Sequence, residues 1–179
     1  MFNFVDLSEE TRPFILDAID QAERTGSIYY SSRFTDKGRE EWLPLLKEAA
    51  SKHNEHWLAY KLEENQLMKG FENASRPSGG YSIKHVPHTA SETFAEGQFN
   101  RFYILGLCKY AKHKGIANLL VYRAKESKVE RLESNLLLNK QIPIDEIENQ
   151  LLDIQLSFKS KLVQPNSGIS VMLQKFEMG

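Results

Sequence analysis

A single cysteine, Cys108, is all the thiol chemistry this chain has, so no internal disulfide can brace it. On a helical wheel Cys108 falls toward the polar edge, where a small packing residue is the ordinary reading rather than a nucleophile. Long apolar runs are also missing. None approaches the roughly 20 residues that a membrane span requires. The first residues, MFNFVDLSEE, lack the basic and apolar regions of a secretory signal. Cytoplasmic residence is expected, or a virion if the chain is a phage component. Charge of one sign is not in excess: 23 basic against 24 acidic residues leave a net charge of −1. That balance disfavours nucleic acid as the main partner. A glycine-rich phosphate cradle is absent. Pro77-Ser78-Gly79-Gly80 is turn chemistry, with neither the Gly-x-Gly-x-x-Gly pattern nor a Gly-Lys-Ser/Thr ending. His53 and His56 stand three apart, but no cysteine or carboxylate has a matching ligand spacing, so no metal and no cofactor are implied. No internal repeat or low-complexity segment interrupts the chain.

What remains is an ordinary globular composition, 41% hydrophobic and 26% charged over 179 residues. One domain over 1–179 is expected, with a helical part at 1–70, a loop at 71–80 and an α+β core at 81–179. The fold class is α+β: a helix-rich N-terminal half, then a small sheet. Its strands lie near 81–86, 117–123 and 169–176 and pack on a long central helix and a C-terminal helix. In the N-terminal half, Phe14, Ile15, Ala18, Ile19 and Ala22 form a helical stripe, with Thr11 as cap and Pro13 in the first turn. Ser27–Ser32 reads as a short strand bearing Tyr29 and Tyr30. Thr35 or Asp36 caps a second helix, which Pro44 should kink or split, and Asn54 caps a third.

The stretch Ser91–Lys114 is the strongest helix signal. At about 100° per residue, Ala95, Phe99, Phe102, Tyr103, Gly106, Leu107 and Tyr110 share one sector, while Arg101, Lys109 and Lys112 lie roughly opposite. Thr89 and Glu92 fit a capping box, and Lys112, His113, Lys114 and Gly115 fit a helix end. Gly97 and Gly106 each cost about 1 kcal/mol relative to alanine and suggest close approach by another element. Glu96 and Asn100 break the apolar pattern. They stand one turn apart beside the aromatic sector, and each unpaired buried polar group costs about 1–3 kcal/mol. Their candidate partners are Arg101, Arg123, His85 and His88. Either these form a polar site, or they form a network that pins a loop to the helix.

Tyr81–Val86 alternates like a half-buried strand, and Ala117–Tyr122 reads as a buried one. Strand, helix and strand over 81–122 could form a parallel pair through a right-handed crossover. Ligands then gather beyond the carboxyl ends of the strands, which makes Arg123 and Lys125 the candidate anion-binding residues. Beyond them, Glu126–Lys140 carries Leu136, Leu137 and Leu138 in a row, a candidate docking arm. Asp145 is the expected cap of a final helix, Glu146–Leu162, and Pro165-Asn166-Ser167-Gly168 is a turn into the last strand.

The segments AEGQFNRFYILGLC at 95–108, VYRAKES at 121–127 and PNSGISV at 165–171 resemble the core of a family of small uncharacterised bacterial and phage-type proteins. The shared pattern is AEGxFNRxY followed by VYRAK, and it covers roughly the C-terminal half. The resemblance implies a bacterial or mobile-element origin and brings no activity with it. The stretch ESKVERLESNLLLNK departs from the proline-rich, acidic character of that family, so no role carries over to it.

Two functions follow as expectations. The first is a non-enzymatic interaction or assembly protein that self-associates or docks on a protein partner, supported by the leucine arm, the paired tyrosines and the lack of a catalytic motif. The second is an enzyme acting on a phosphate-bearing or nucleotide substrate. Glu96 would be its acid or base, Asn100 an orienting group, Arg101 and Arg123 anion clamps, and His85 or His88 a proton carrier. The second demands that these side chains converge on one cleft. Nucleic-acid binding through Lys109, Lys112, Lys114 and Lys125, beside Tyr110, is a third and weaker reading.

Overall fold

A computed structural model describes residues 1–126 and 132–174. The first helix, α1, runs Arg12–Arg24 with Pro13 in its opening turn and buries Ile15, Ala18, Ile19 and Ala22. The second, α2, spans Asp36–Lys52, and the Thr35 hydroxyl accepts the Gly38 N–H at its start. Pro44 neither splits nor ends it, and the helix continues for two further turns. Helix α3, Glu55–Glu64, opens with the Asn54 side chain accepting the Trp57 N–H at 3.0 Å. Ser27–Ser32 is not a strand; it crosses between α1 and α2 as irregular chain.

The central helix α4 spans Ala90–His113. It packs against α1 and α3 on one side and against the C-terminal elements on another. From Phe99 to Cys108 every residue is buried, so the helix has no solvated back along that stretch. A helix apolar nearly all round is one enclosed on all sides. Cys108 is therefore fully buried, not at a polar edge, and burial pushes its thiol pKa well up. Thr89 makes no side-chain cap, so the expected capping box does not form. Of the two interior glycines, only Gly106 marks a tight approach. A Cβ there would lie 2.5 Å from Ile15 Cγ1 and 2.6 Å from its Cα, whereas one at Gly97 meets nothing closer than 4.0 Å.

The strands form two separate antiparallel sheets. Strand β1, Phe71–Ser75, pairs with β2, Tyr81–His85, in a hairpin closed by Arg76–Gly80. The expected loop at 71–80 is thus half strand. Strand β3, Asn118–Arg123, lies between β4, Gln141–Pro143, and β5, Ile169–Met172. Its Leu119 faces Ile142 and its Val121 faces Val171, and all four are buried. No parallel pair exists among the described residues. The crossover expected over 81–122 fails because β2 turns back on β1, while β3 finds antiparallel partners later in the chain.

Between β3 and β5 come two short helices and one longer helix. Leu132–Asn135 is α5, Ile144–Leu151 is α6 and Ile154–Ser157 is α7. The single helix expected over 146–162 is therefore broken, with Asp153 capping α7 through the Leu156 N–H at 2.9 Å. Asp145 lies inside α6 rather than capping it. Leu137 and Leu138 pack on the core while Leu136 stays exposed, so the leucine triplet does not form one outward face. Part of that arm, and the end of the last expected strand at 175–176, lie outside the described residues.

The first seven residues run as a strap across both halves. Phe2 N–H bonds the Glu55 carboxylate at 2.7 Å, and Asn3 N–H bonds the Ala124 carbonyl at 2.7 Å. Phe4 packs its ring on Phe99 and Tyr103. The Asp6 carboxylate accepts the Leu173 N–H at 2.7 Å.

Candidate functional site

Glu96 and Asn100 lie one turn apart on α4, and both are buried, at 6% and 2% exposure. Their partners are specific. Glu96 forms an ion pair with Lys125 just beyond β3, and Lys125 also bonds Glu92 at 3.1 Å. Burial raises the Glu96 pKa against the opposing pull of Lys125. The neighbouring Glu92, more exposed, is held low by the same ammonium. The Asn100 amide donates to the carbonyls of Leu162, at 3.3 Å, and Ile169, at 3.1 Å. Its carbonyl oxygen accepts the Ser170 hydroxyl at 2.6 Å. Every polar end of that side chain is thereby used to fasten 162–170 to α4.

Arg101 points away from water, contrary to its place on the wheel, and is 1% exposed. Its Nε donates to the Leu151 carbonyl at 2.9 Å, one terminal nitrogen to Leu152 at 3.2 Å, and the other to Ser27 at 3.0 Å. The guanidinium thus closes the C-terminal turn of α6, where helix carbonyls lack intrahelical donors. Burial lowers its pKa to about 10. Arg123 is spent elsewhere, on the Ser167 carbonyl at 3.0 Å and on the Asn135 side chain. It does not reach Glu96; Lys125 holds that position instead.

His85 and His88 are both exposed. His85 sits on the hairpin with its ring 4.4 Å from that of Phe71. No hydrogen bond joins either histidine to Glu96, Asn100 or Arg101. The residues named for the enzyme reading therefore serve separate attachments, and the structure does not assemble them as one catalytic set. The lysines of the nucleic-acid reading are mostly paired as well: Lys109 with Asp17, Lys112 with Asp145 and Glu148, and Lys125 as above. His53 stacks on Trp57 at 4.2 Å.

The surface that sequence reasoning passed over is the hairpin. Cross-strand pairing puts Phe71 beside His85, Asn73 beside Ile83 and Ser75 beside Tyr81, all on one face. That face looks outward: Phe71 is 55% exposed, Tyr81 74% and Ile83 76%. The opposite face carries Glu72 and Lys84, and it turns toward the body. There Glu72 takes both Nε and Nη2 of Arg33, at 2.6 and 3.0 Å, and an ion pair from Lys84 at 3.3 Å. Arg33 pulls the Glu72 carboxyl below its ordinary range. The hairpin is inverted relative to ordinary amphipathic sheets, with Glu72 anchored inward on Arg33 and its large apolar side chains in water. The alternation in Tyr81–Val86 was the available signal, but period two does not say which side faces the core.

Among the described residues, no helix is long and apolar enough to cross a membrane. Comparison with protein-family models, with curated proteins and with solved structures gave no match.

Proposed function

We propose that this chain is a non-enzymatic assembly protein that self-associates through the outward face of the β1–β2 hairpin. The observation that carries this is the inverted hairpin: three large apolar side chains face water while the charged side is anchored to the body. A two-stranded sheet is marginal alone. Its exposed apolar face, with outer edges that no other strand pairs among the described residues, is the ordinary starting material of strand-to-strand association. The occupant argued for is a second copy. A two-fold contact sets a surface against itself, so a charged face must carry its own complement, whereas a face without charges needs none. This face carries no Asp, Glu, Lys or Arg: it consists of Phe71, Asn73, Ser75, Tyr81, Ile83 and His85.

Sedimentation velocity over a concentration series tests the proposal. Wild type should dimerise with a Kd below about 100 μM, or roughly −5.5 kcal/mol. The double variant Tyr81→Ser, Ile83→Lys should sediment as a monomer and, at concentrations well below the dimer Kd, keep the wild-type unfolding midpoint, because both side chains are largely exposed. A wild type that stays monomeric to about 100 μM, or a double variant that dimerises as tightly, would overturn it.

A further inference from the structure

A cleft of about 390 Å³ opens between the first half of α4, the 29–33 segment, the base of the hairpin and the 157–165 segment. That volume lies in the range of small-molecule sites. Tyr29, Phe94 and Phe158 wall it, with the Tyr29 ring 4.8 Å from Phe158 and 5.9 Å from Phe94. Arg101 and Gln98 are among its polar lining residues, and the Arg33–Glu72 pair stands at the hairpin side.

The electrostatics of this cleft are unbalanced. Arg101 is a buried cation whose three hydrogen bonds all go to neutral carbonyls. Among the described residues, each terminal nitrogen has a single acceptor, which leaves one N–H on each to be satisfied otherwise. No carboxylate lies within ion-pair distance of it among the described residues, and Asp153 acts on it only from farther off. Buried charges are ordinarily paired. The Gln98 carbonyl oxygen is also buried without a partner. A carboxamide can present either its oxygen or its NH₂ at the same place by a half-turn. The cleft is therefore lined by a guanidinium and a carboxamide that can both donate, together with three aromatic rings, and its one carboxylate, Glu72, is already engaged by Arg33.

We propose that this cleft binds a small carboxylate with a flat apolar body. The carboxylate would take the free N–H groups of Arg101 and the Gln98 amide, and the body would lie among Tyr29, Phe94 and Phe158. A monoanion fits better than a phosphate dianion. Of the two lining arginines only Arg101 has no ion-pair partner among the described residues, since Arg33 is already consumed by Glu72, which adds a negative group at the same cleft. This inference is independent of the hairpin contact.

An amide and side-chain NMR titration of the full chain tests it, with hydrocinnamate as probe, hydrocinnamide as its uncharged analogue and phenyl phosphate as the dianionic arm. Hydrocinnamate should bind saturably and shift the Arg101 Nε–H and Gln98 side-chain signals. Hydrocinnamide and phenyl phosphate should each bind at least tenfold more weakly. Arg101→Ala risks the fold, so the variants lie elsewhere. Gly97→Leu has room at its Cβ and should abolish binding by filling the cleft, while Gln98→Glu should weaken it at least tenfold. Absence of saturable binding, equal binding of the uncharged analogue, tighter binding of the phosphate, or binding retained in Gly97→Leu would each overturn the proposal.

Discussion

Glu55 stands in the first turn of α3 with 1% of its surface exposed, and its carboxylate receives the Phe2 N–H. Burial raises its pKa above the ordinary 4.5, and backbone N–H donors pull it down less strongly. The folded chain thus holds this proton more tightly than the unfolded chain does. The resulting stabilisation is full below about 4.5 and is lost as pH rises through the raised folded value. We therefore expect the stability difference between wild type and Glu55→Gln to shift in favour of wild type on acidification from neutral pH toward 4.5. Denaturant unfolding of both proteins across that range measures it, and a flat difference would count against the assignment. At this scale the sequence was informative about Glu96 and Asn100. A carboxylate and an amide beside an aromatic sector require partners, and the structure supplies Lys125, Ser170 and two carbonyls. Which cation would answer Glu96 was not legible. Lys125 and Arg123 are two residues apart, and only the β3–β5 register and the turn at 165–168 decide which one turns toward α4.

Between elements, the contact of α4 with α1 depends on the missing side chain at Gly106. A methyl group there would press into the Ile15 backbone, which cannot yield as a flexible side chain could. Gly106→Ala should cost about 1–3 kcal/mol or more, the scale of overpacking in a dense core. Gly97→Ala, with open space, should instead gain up to about 1 kcal/mol from helix propensity. Thermal or urea unfolding of the two variants should give opposite signs. Helices were the readable part of this chain, because caps such as Thr35 and Asn54 and the 3.6-residue stripes are local. Arg101 was misplaced for a physical reason. A wheel assumes one covered face, but α4 is covered by α1, α3 and α6 together, so its second side is interior too. Strand β1 was missed because FENAS is polar, and the Pro-Ser-Gly-Gly turn that makes it a hairpin reads equally well as loop. Sheet partners depend on contacts distant in sequence. That is why β2 and β3 were assigned to one sheet when they occupy two.

Over the whole molecule, one continuous apolar cluster draws on both the helical half and the three-stranded sheet, with α4 running through it. The strap of residues 1–7 binds α3, α4 and the end of β3, so one short segment is fastened to elements distant in sequence. The bond between Asp6 and Leu173 joins residues 167 positions apart in the sequence. Asp6 therefore acts as a clasp: Asp6→Ala should loosen the strap and the exit of β5 together, leaving the Leu173 N–H without this acceptor and lowering the unfolding free energy by about 1–3 kcal/mol in urea unfolding.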